Sequence, residues 1–566
     1  PAGPEGDRFL FTGTFQAPAE PELIWYRFRF LRPNGEEVWL DKNGFGWQQT
    51  VYDSSLPVPD WFGRGVTYQI FPDRFCREAA AGAPDAAGLV GERAVHLDWA
   101  EPVELPEDQG GNLGRDFFGG TLAGIGEKLN YLKGLGVTTL YLCPVFEAAS
   151  NHRYNTADYE RIDPMLGTEE DFRRLCAGAH ALGMRVMLDG VFNHTGSNSR
   201  YFNAEGFYPA LGAAQSRESS YYPWYTFSSW PDRYDAWWGI STLPAVNESC
   251  PSYLDFIVDG ENSVIRRWLR LGADAWRLDV ADELPDDFIA RIRSVMAEEK
   301  PDSVLLGEVW EDGSNKISYD QRRKYLLGRE THGLMNYTFR TAALAYLLGM
   351  DQEGRPYSGE NFQDAMESIR ENYPPFAFYS GMNFLGTHDT PRILTLLGRR
   401  RDWPATARER LASRLTPEER DLGCRLLRLG ALLLFAFPGS PTIFYGDEAG
   451  MEGYEDPLNR GTFPWGREDR ELQHYYARLG IFRSSRTSLQ RGSLRWLRAR
   501  GPVLAFARSW EEETTLAVLN AGERPVELAL DWFGGPVSDA LTGRTFRPSG
   551  GELLLPLRPL EGMLLV

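Results

Sequence analysis

At 566 residues the chain is longer than one hydrophobic core usually serves, so roughly two to four domains are expected. A formal charge of -19 excludes a phosphate-binding surface of the kind that holds nucleic acid, and suits an uncharged substrate. An apolar share of 42% leaves ample surface to bury, and no run of about 18 apolar residues is present to span a membrane.

In chain order, residues 8–53 read as short strands. Phe9-Leu10-Phe11, the run from Ile24 to Phe30, and Val38-Trp39-Leu40 cluster aromatic and branched residues, and Pro33-Asn34-Gly35-Glu36 supplies a hairpin turn. Four strands in one small sheet are expected, giving a short N-terminal β domain over 1–58 that resembles part of a β-sandwich. Pro57, Pro59 and Gly63 mark a linker.

From residue 65 strand and helix alternate. Strands are expected at 66–71, 137–142, 184–188, 274–278, 303–307, 332–336, 382–386 and 441–445. Leu122, Ile125, Leu129, Leu132 and Leu135 recur at helical spacing before Gly136. Thr168 caps a helix that carries Phe172, Leu175, Ala179 and Leu182 and stops at Gly183. Further helices are expected around Val264–Leu269 and near 286–297, 316–327, 361–372, 419–435 and 471–484. The alternation predicts an α/β fold, a (β/α)8 TIM barrel over 59–485.

The beat breaks over about 191–258, an insertion where Tyr221, Tyr222, Trp224, Tyr225, Trp230, Tyr234, Trp237 and Trp238 crowd together. Such rings form either a satellite core or platforms on which the C–H faces of sugars stack. Residues 486–566 return to short β runs, predicting a C-terminal antiparallel β-sandwich. Five cysteines, at 76, 143, 176, 250 and 424, show no metal-binding spacing and suggest a reducing compartment. A cytoplasmic protein is expected, with a secreted form stripped of its leader as the alternative.

In a TIM barrel the reactive groups stand where strands end. Here the third strand runs into Asp189-Gly-Val-Phe-Asn193-His194, the fourth ends Trp276-Arg277-Leu278-Asp279, the fifth ends Gly307-Glu308-Val309-Trp310, and the seventh ends Thr387-His388-Asp389. One such acid is usually a cap or a loop salt bridge. Several converging on one barrel mouth raise each other's pKa, the condition a carboxylate catalyst exploits by keeping one group protonated and another ionised. Glycoside hydrolysis needs that pair. Arg277, two residues before Asp279, points the same way on a strand and keeps that carboxylate ionised and oriented. Glu308 stands beside Trp310 and an apolar strand, where desolvation favours a proton donor.

These runs, in this order, resemble the four sequence regions of the α-amylase family. Ala275–Glu283, Leu243-Pro-Ala-Val-Asn247 and Asn151–Tyr159 are most similar to its neopullulanase, cyclomaltodextrinase and maltogenic amylase group. The resemblance covers roughly residues 60–470 and makes the insertion that family's domain B. It implies Asp279 as nucleophile, Glu308 as acid/base and Asp389 as the carboxylate that stabilises the transition state. It also implies Arg277, His194 and His388 around the reacting glucose, Tyr154 stacked beneath it, and Asp456 and Arg460 further toward the non-reducing side. Asp282, Glu283, Trp310 and Trp238 are expected to contact sugars as well.

The group commonly has Asp where this chain has Asn155, and Asn where it has Asp282, which puts subsite preference in question. No cofactor is required. Calcium stays open at Asn193, although the loop after the first strand, starting at Arg74, lacks the Asn/Asp density of calcium-binding relatives.

The expected function is retaining hydrolysis of α-1,4 bonds in maltodextrins, cyclodextrins, pullulan or starch. A transglycosylase or an α-1,6-acting pullulanase of the same family is the alternative, and a non-catalytic glucan-binding protein is a remoter one. The expected partner is an α-glucan, with no nucleic acid and no membrane, and the protein a monomer or homodimer.

Overall fold

The computed structural model describes residues 3–5, 8–10, 13–42, 44–79, 86, 88–108, 114–400 and 402–566. Eight parallel strands form one sheet: β1 (Thr67–Ile70), β2 (Thr139–Leu142), β3 (Arg185–Gly190), β4 (Ala275–Leu278), β5 (Val304–Gly307), β6 (Gly333–Leu334), β7 (Met382–Phe384) and β8 (Ser440–Phe444). Their order follows the chain, β8 returns beside β1 through Thr442 and Thr67, and a parallel bridge from Met335 to Met382 closes the ring. All eight strands fall where the sequence places them.

Alternation along each strand sorts side chains between two cores. Tyr141, Met187, Ala275, Val304, Leu306, Met382 and Phe384 fill the barrel interior. Leu140, Leu142, Val186, Leu188, Trp276 and Leu278 point outward into the layer shared with the helices. Ala275, Arg277 and Asp279 therefore share the inward face of β4, and Arg277 is fully buried at the top of the barrel.

The outer layer contains α1 (Glu169–Ala181), α2 (Val264–Arg270), α3 (Asp286–Glu299), α4 (Tyr337–Leu348), α5 (Gly359–Asn372), α6 (Pro417–Ala436) and α7 (Arg470–Ser485). Thr168 caps α1 in a reciprocal box, its hydroxyl accepting from the Asp171 N–H at 3.2 Å while the Asp171 carboxylate accepts from the Thr168 N–H at 2.8 Å. After α1 the chain turns at Gly183, whose φ of 74° is the left-handed conformation that favours glycine.

One helix expected from the sequence does not form. Residues 316–327 make a hairpin in which Ile317–Ser318 pairs with Gln321–Arg322. Tyr319 and Asp320 both take left-handed φ values, 50° and 60°, the geometry of a tight two-residue hairpin turn that no helix interior tolerates. Arg323 is buried and donates to the carbonyls of Asp282 and Leu284 and to Asp286. These contacts pin the segment to the barrel rim. The first helical stripe likewise breaks into Leu122–Glu127 and Leu129–Gly134.

The N-terminal residues differ from the single sheet expected. Glu22–Tyr26 pairs with Trp47–Val51, and Phe28–Leu31 pairs with Glu37–Leu40, as two nested antiparallel ladders. The turn at 32–36 forms, with the Arg32 N–H donating to the Glu36 carbonyl at 2.8 Å. Gly3–Glu5 and Arg8–Leu10 make a separate pair, and Phe11 of the expected first strand lies outside the described residues. At the other end, Ser493–Arg500, Val503–Trp510, Glu513–Asn520 and Glu561–Leu565 form a four-stranded antiparallel sheet. It packs a core of Val503, Ala505, Val518 and Met563 against Leu528, Leu530, Leu553 and Leu555 of a second ladder.

Candidate active site

A cleft of about 740 Å³ opens at the C-terminal ends of the strands. Its lining includes Tyr154, His194, Trp238, Asp279, Asp282, Glu283, Glu308, Trp310, His388, Asp389, Asp456 and Arg460. Every one of these was expected from the sequence. Arg277 lies beneath them, and Asn193 is set back from the lining.

The centre is one guanidinium among three carboxylates. Arg277 Nη1 lies 2.7 Å from Asp189 Oδ1 and 2.8 Å from Asp279 Oδ1, and Nη2 lies 2.7 Å from Glu308 Oε2. Adjacent arms of a single rigid fork thus hold Asp279 and Glu308 side by side. Burial, then the charges of Glu308 and Asp189, push Asp279 upward in proton affinity, while Arg277 pulls the other way. Burial likewise pushes Asp189 upward, against the pull of Arg277 and the hydroxyls of Tyr141 and Tyr154.

Glu308 is fixed from two further directions. Trp310 Nε1 donates to Oε1 at 3.1 Å, and the Val280 N–H donates to Oε2 at 2.9 Å. Val280 adopts φ 39° and ψ 53°, a left-handed conformation that a β-branched residue takes only under strain, at about 1–3 kcal/mol. That strain falls on the residue directly after Asp279, where it aims the backbone N–H at Glu308.

Behind Asp279 a second layer is locked together. Tyr154 donates to Asp189 Oδ2 at 2.8 Å, its hydroxyl lies 2.6 Å from His388 Nε2, and its ring is parallel to the His388 ring at 5.2 Å. Tyr141 also donates to Asp189 Oδ2, at 2.7 Å. His388 Nδ1 lies 2.7 Å from Gln69 Nε2, and Nε2 lies 3.1 Å from Asp389 Oδ2. Arg460 donates to the His388 carbonyl at 2.9 Å and reaches Asp456 at 3.0 Å and Asp389 at 3.4 Å.

Burial pushes His388 well below its ordinary pKa, with Arg460 and Arg277 adding to the effect. Burial alone takes His194 down to about 4. Both rings are neutral at pH 7, and serve as hydrogen-bonding groups for hydroxyls.

Several lining residues were given no role of their own from the sequence. His152, pushed down to about 3 by burial and then by Arg460, stands next to Asn151 and two positions before Tyr154. Its place between residues already singled out was the available signal. Trp237 stacks on His194 at 5.3 Å and on Trp238 at 5.0 Å. Lys316, from the hairpin loop, pairs with Asp282 at 3.1 Å. The remaining insertion rings divide as either reading allowed. Trp224 and Tyr225 are buried with Tyr201 and Phe202 in a core continuous with the layer outside the barrel, with Tyr221 and Tyr234 half-buried against it, whereas Trp237 and Trp238 face the cleft. Asn155 accepts from the Ser150 hydroxyl, away from the lining.

Asn193, the position at which the sequence leaves calcium open, neighbours Glu248 and His194. The Asn193 amide lies 3.5 Å from Glu248 and 3.2 Å from His194, and burial drives Glu248 up to about 8. A hard cation needs several ionised or carbonyl oxygens. Among the described residues no group of three or more acidic, histidine or cysteine side chains is gathered to hold a metal.

Residues 69–490 match the model of the α-amylase catalytic domain. The chain belongs to the α-amylase family. Residues 494–563 match the maltogenic amylase C-terminal domain, in keeping with the group resemblance read from the strand ends. An amylopullulanase of Thermoanaerobacter thermohydrosulfuricus is 36% identical over 610 residues, covering 96% of this chain and 40% of that protein. The chain thus spans about two fifths of that relative's length. A cyclomaltodextrinase of Geobacillus thermopakistaniensis (strain MAS1) is 31% identical over 572 residues, covering 96% of this chain and 86% of that protein. Among solved structures, the type III pullulan hydrolase from Thermococcus kodakarensis superposes with a TM-score of 0.75 at 27% identity, covering 96% of this chain and 89% of that one.

Proposed function

We propose that the protein hydrolyses α-1,4-glucosidic bonds in maltodextrins, cyclodextrins, pullulan or starch with retention of configuration. The observation that carries this reading is the Arg277 fork, which holds Asp279 and Glu308 on adjacent arms inside the cleft. Retaining chemistry needs two carboxyls about 5–5.5 Å apart. In the first step Asp279 attacks the anomeric carbon while Glu308 protonates the departing glycosidic oxygen. In the second, Glu308 takes a proton from water, which displaces Asp279 and leaves an α-configured product. Asp389 faces the ring as positive charge develops, and neutral His194 and His388 hold its hydroxyls. Tyr154, held flat by His388, is the platform under the reacting glucose.

The amylopullulanase and pullulan hydrolase relatives favour a second reading, in which α-1,6 bonds are cleaved at the same carboxylates. Among the described residues no helix is long and apolar enough to cross a membrane. Five buried, unpaired thiols suit the reducing cytoplasm, where we place the enzyme.

The test is direct. Asp279→Asn is expected to lower kcat at least about 10⁴-fold with the fold intact. A 5-fluoroglucosyl fluoride is expected to label the wild-type peptide carrying Asp279, as read by mass spectrometry. Label on another carboxylate, or a β-anomeric first product by NMR, overturns the assignment. Panose from pullulan marks α-1,4 cleavage, and maltotriose marks α-1,6.

A further inference from the structure

The crossover from β5 to β6, residues 308–332, is the stretch that lacks its expected helix. Its outer face is covered instead by the N-terminal strands. Gln48, on Trp47–Val51 and almost fully buried, donates to Ser314 Oγ at 2.9 Å and accepts from Asn315 Nδ2 at 2.7 Å. Ser314 in turn donates to Asp312 at 2.6 Å, and Asp312 accepts from Asn372 of α5 at 2.8 Å. Two further contacts flank this network. Arg322 of the hairpin stacks over the Trp25 ring at 4.6 Å, and Asp53 accepts from Arg329 at 2.7 Å.

The inner face of the same crossover is the cleft wall beyond Glu308. Lys316 is the residue after Asn315 and reaches Asp282 at 3.1 Å, and Tyr319 donates to Glu283. From the opposite bank, Trp238 Nε1 donates to Glu283 at 3.3 Å. Asp282 and Glu283 stand just past Asp279, on the side where a leaving or incoming sugar lies. A loop without a helix behind it keeps its shape only if something else fixes its backbone, and a buried amide satisfied on both ends does so at a defined register.

We infer that Gln48 is a positioning residue for the acceptor side of the cleft, and that through it the N-terminal strands set how the glycosyl-enzyme divides between water and a sugar hydroxyl. The inference rests on the retaining reading above. In the step concerned, the acceptor oxygen bonds to the anomeric carbon, the bond from that carbon to Asp279 breaks, and the acceptor proton passes to Glu308. Water needs no wall to orient it. A sugar acceptor does, so loosening the wall selectively slows transfer.

The test uses the full chain with α-maltosyl fluoride, whose leaving group is too small to engage the acceptor side, and maltose as added acceptor. Gln48→Met keeps the side-chain volume and deletes the hydrogen bonds. It is expected to leave fluoride release without acceptor within about twofold of wild type and to lower the ratio of transfer to hydrolysis at least about fivefold, the factor that one of its lost hydrogen bonds implies. Half-maximal transfer is expected at correspondingly higher maltose. Asn315→Ala, which removes the contact from its half-buried end, is expected to shift the ratio the same way, and decides the matter alone if Gln48→Met fails to fold. A purely structural role lowers Tm and slows fluoride release without moving the ratio. A folded variant with the wild-type ratio, by circular dichroism and product analysis, overturns the inference. Absence of fluoride release from the wild type instead strikes the retaining reading itself.

Discussion

The two banks of the cleft are built differently. Toward the non-reducing side, Asp189, Arg277, His194 and His388 are all buried, stand on barrel strands or within four residues of their ends, and are joined through Tyr154 into one hydrogen-bonded unit. Toward the acceptor side, the groups come from two loops and stand in solvent: Trp238 is 78% exposed, Tyr319 70% and Trp310 49%. The contrast separates two tasks. Stabilising a developing oxocarbenium ion demands groups that do not reorganise, and the rigid strand ends supply them. Accepting water or sugars of varied length demands groups that can move apart.

The largest effect is expected where the rigid bank is broken. Arg277→Met removes the cation that pairs with Asp189, Asp279 and Glu308, the only one to do so among the described residues. Three carboxyls are then left in a dry site, which costs about 3–5 kcal/mol when a buried pair loses one partner. Denaturant unfolding at pH 7 measures that loss, and kcat on maltotriose is expected to fall at least about 10²-fold. Near-wild-type stability for this variant contradicts a preorganised donor side.

A smaller effect is expected from the histidines of the same bank. His194 folds with its pKa depressed to about 4, against about 6.5 when unfolded. Between those values the unfolded chain binds the extra proton, so stability falls as pH drops from about 6.5 to about 4 and is fully present above that window. The shift is equivalent to about 3 kcal/mol over the window. His194→Gln is expected to flatten that part of the profile, compared by urea titrations at pH 7, 5.5 and 4.5. An unchanged slope locates the acid sensitivity elsewhere.

The same contrast governs what could be read from sequence. The rigid bank was legible because each barrel strand is buried on both faces, so an apolar run that ends in Asp279, Glu308 or His388 stands out. The acceptor bank was legible only in part: Asp282, Glu283, Trp310 and Trp238 were expected, but the hairpin that faces them was not. Residues 316–327 read as a helix in the sequence, and the left-handed turn at Tyr319 and Asp320 carries no glycine or asparagine to announce a hairpin there. Gln48 sits in Trp-Gln-Gln-Thr-Val, where nothing local distinguishes it from Gln49. Its meaning comes from Ser314 and Asn315, more than 260 residues away. Trp238 was singled out among eight flagged rings, but only tertiary packing separated Trp237, which also faces the cleft, from those that enter the core.

The smallest effect is expected from the exposed strap itself. Tyr319 is mostly in solvent, and its hydroxyl, held above its ordinary pKa first by the hydrogen bond to Glu283, reaches about 12. Removing an exposed contact of this kind changes stability by less than about 0.5 kcal/mol. Tyr319→Phe keeps the ring and frees Glu283 to pair with Trp238 alone. Fluoride release from α-maltosyl fluoride is expected to be unchanged, while the maltose concentration for half-maximal transfer rises about twofold, less than a fully buried hydrogen bond commands. The comparison with Gln48→Met is the informative one. If the exposed hydroxyl shifts transfer as strongly as the buried amide, the acceptor bank is a direct-contact site as preorganised as the donor bank. If it shifts transfer less, the wall is set from behind, by the N-terminal strands, and its solvent face is free to vary with the acceptor.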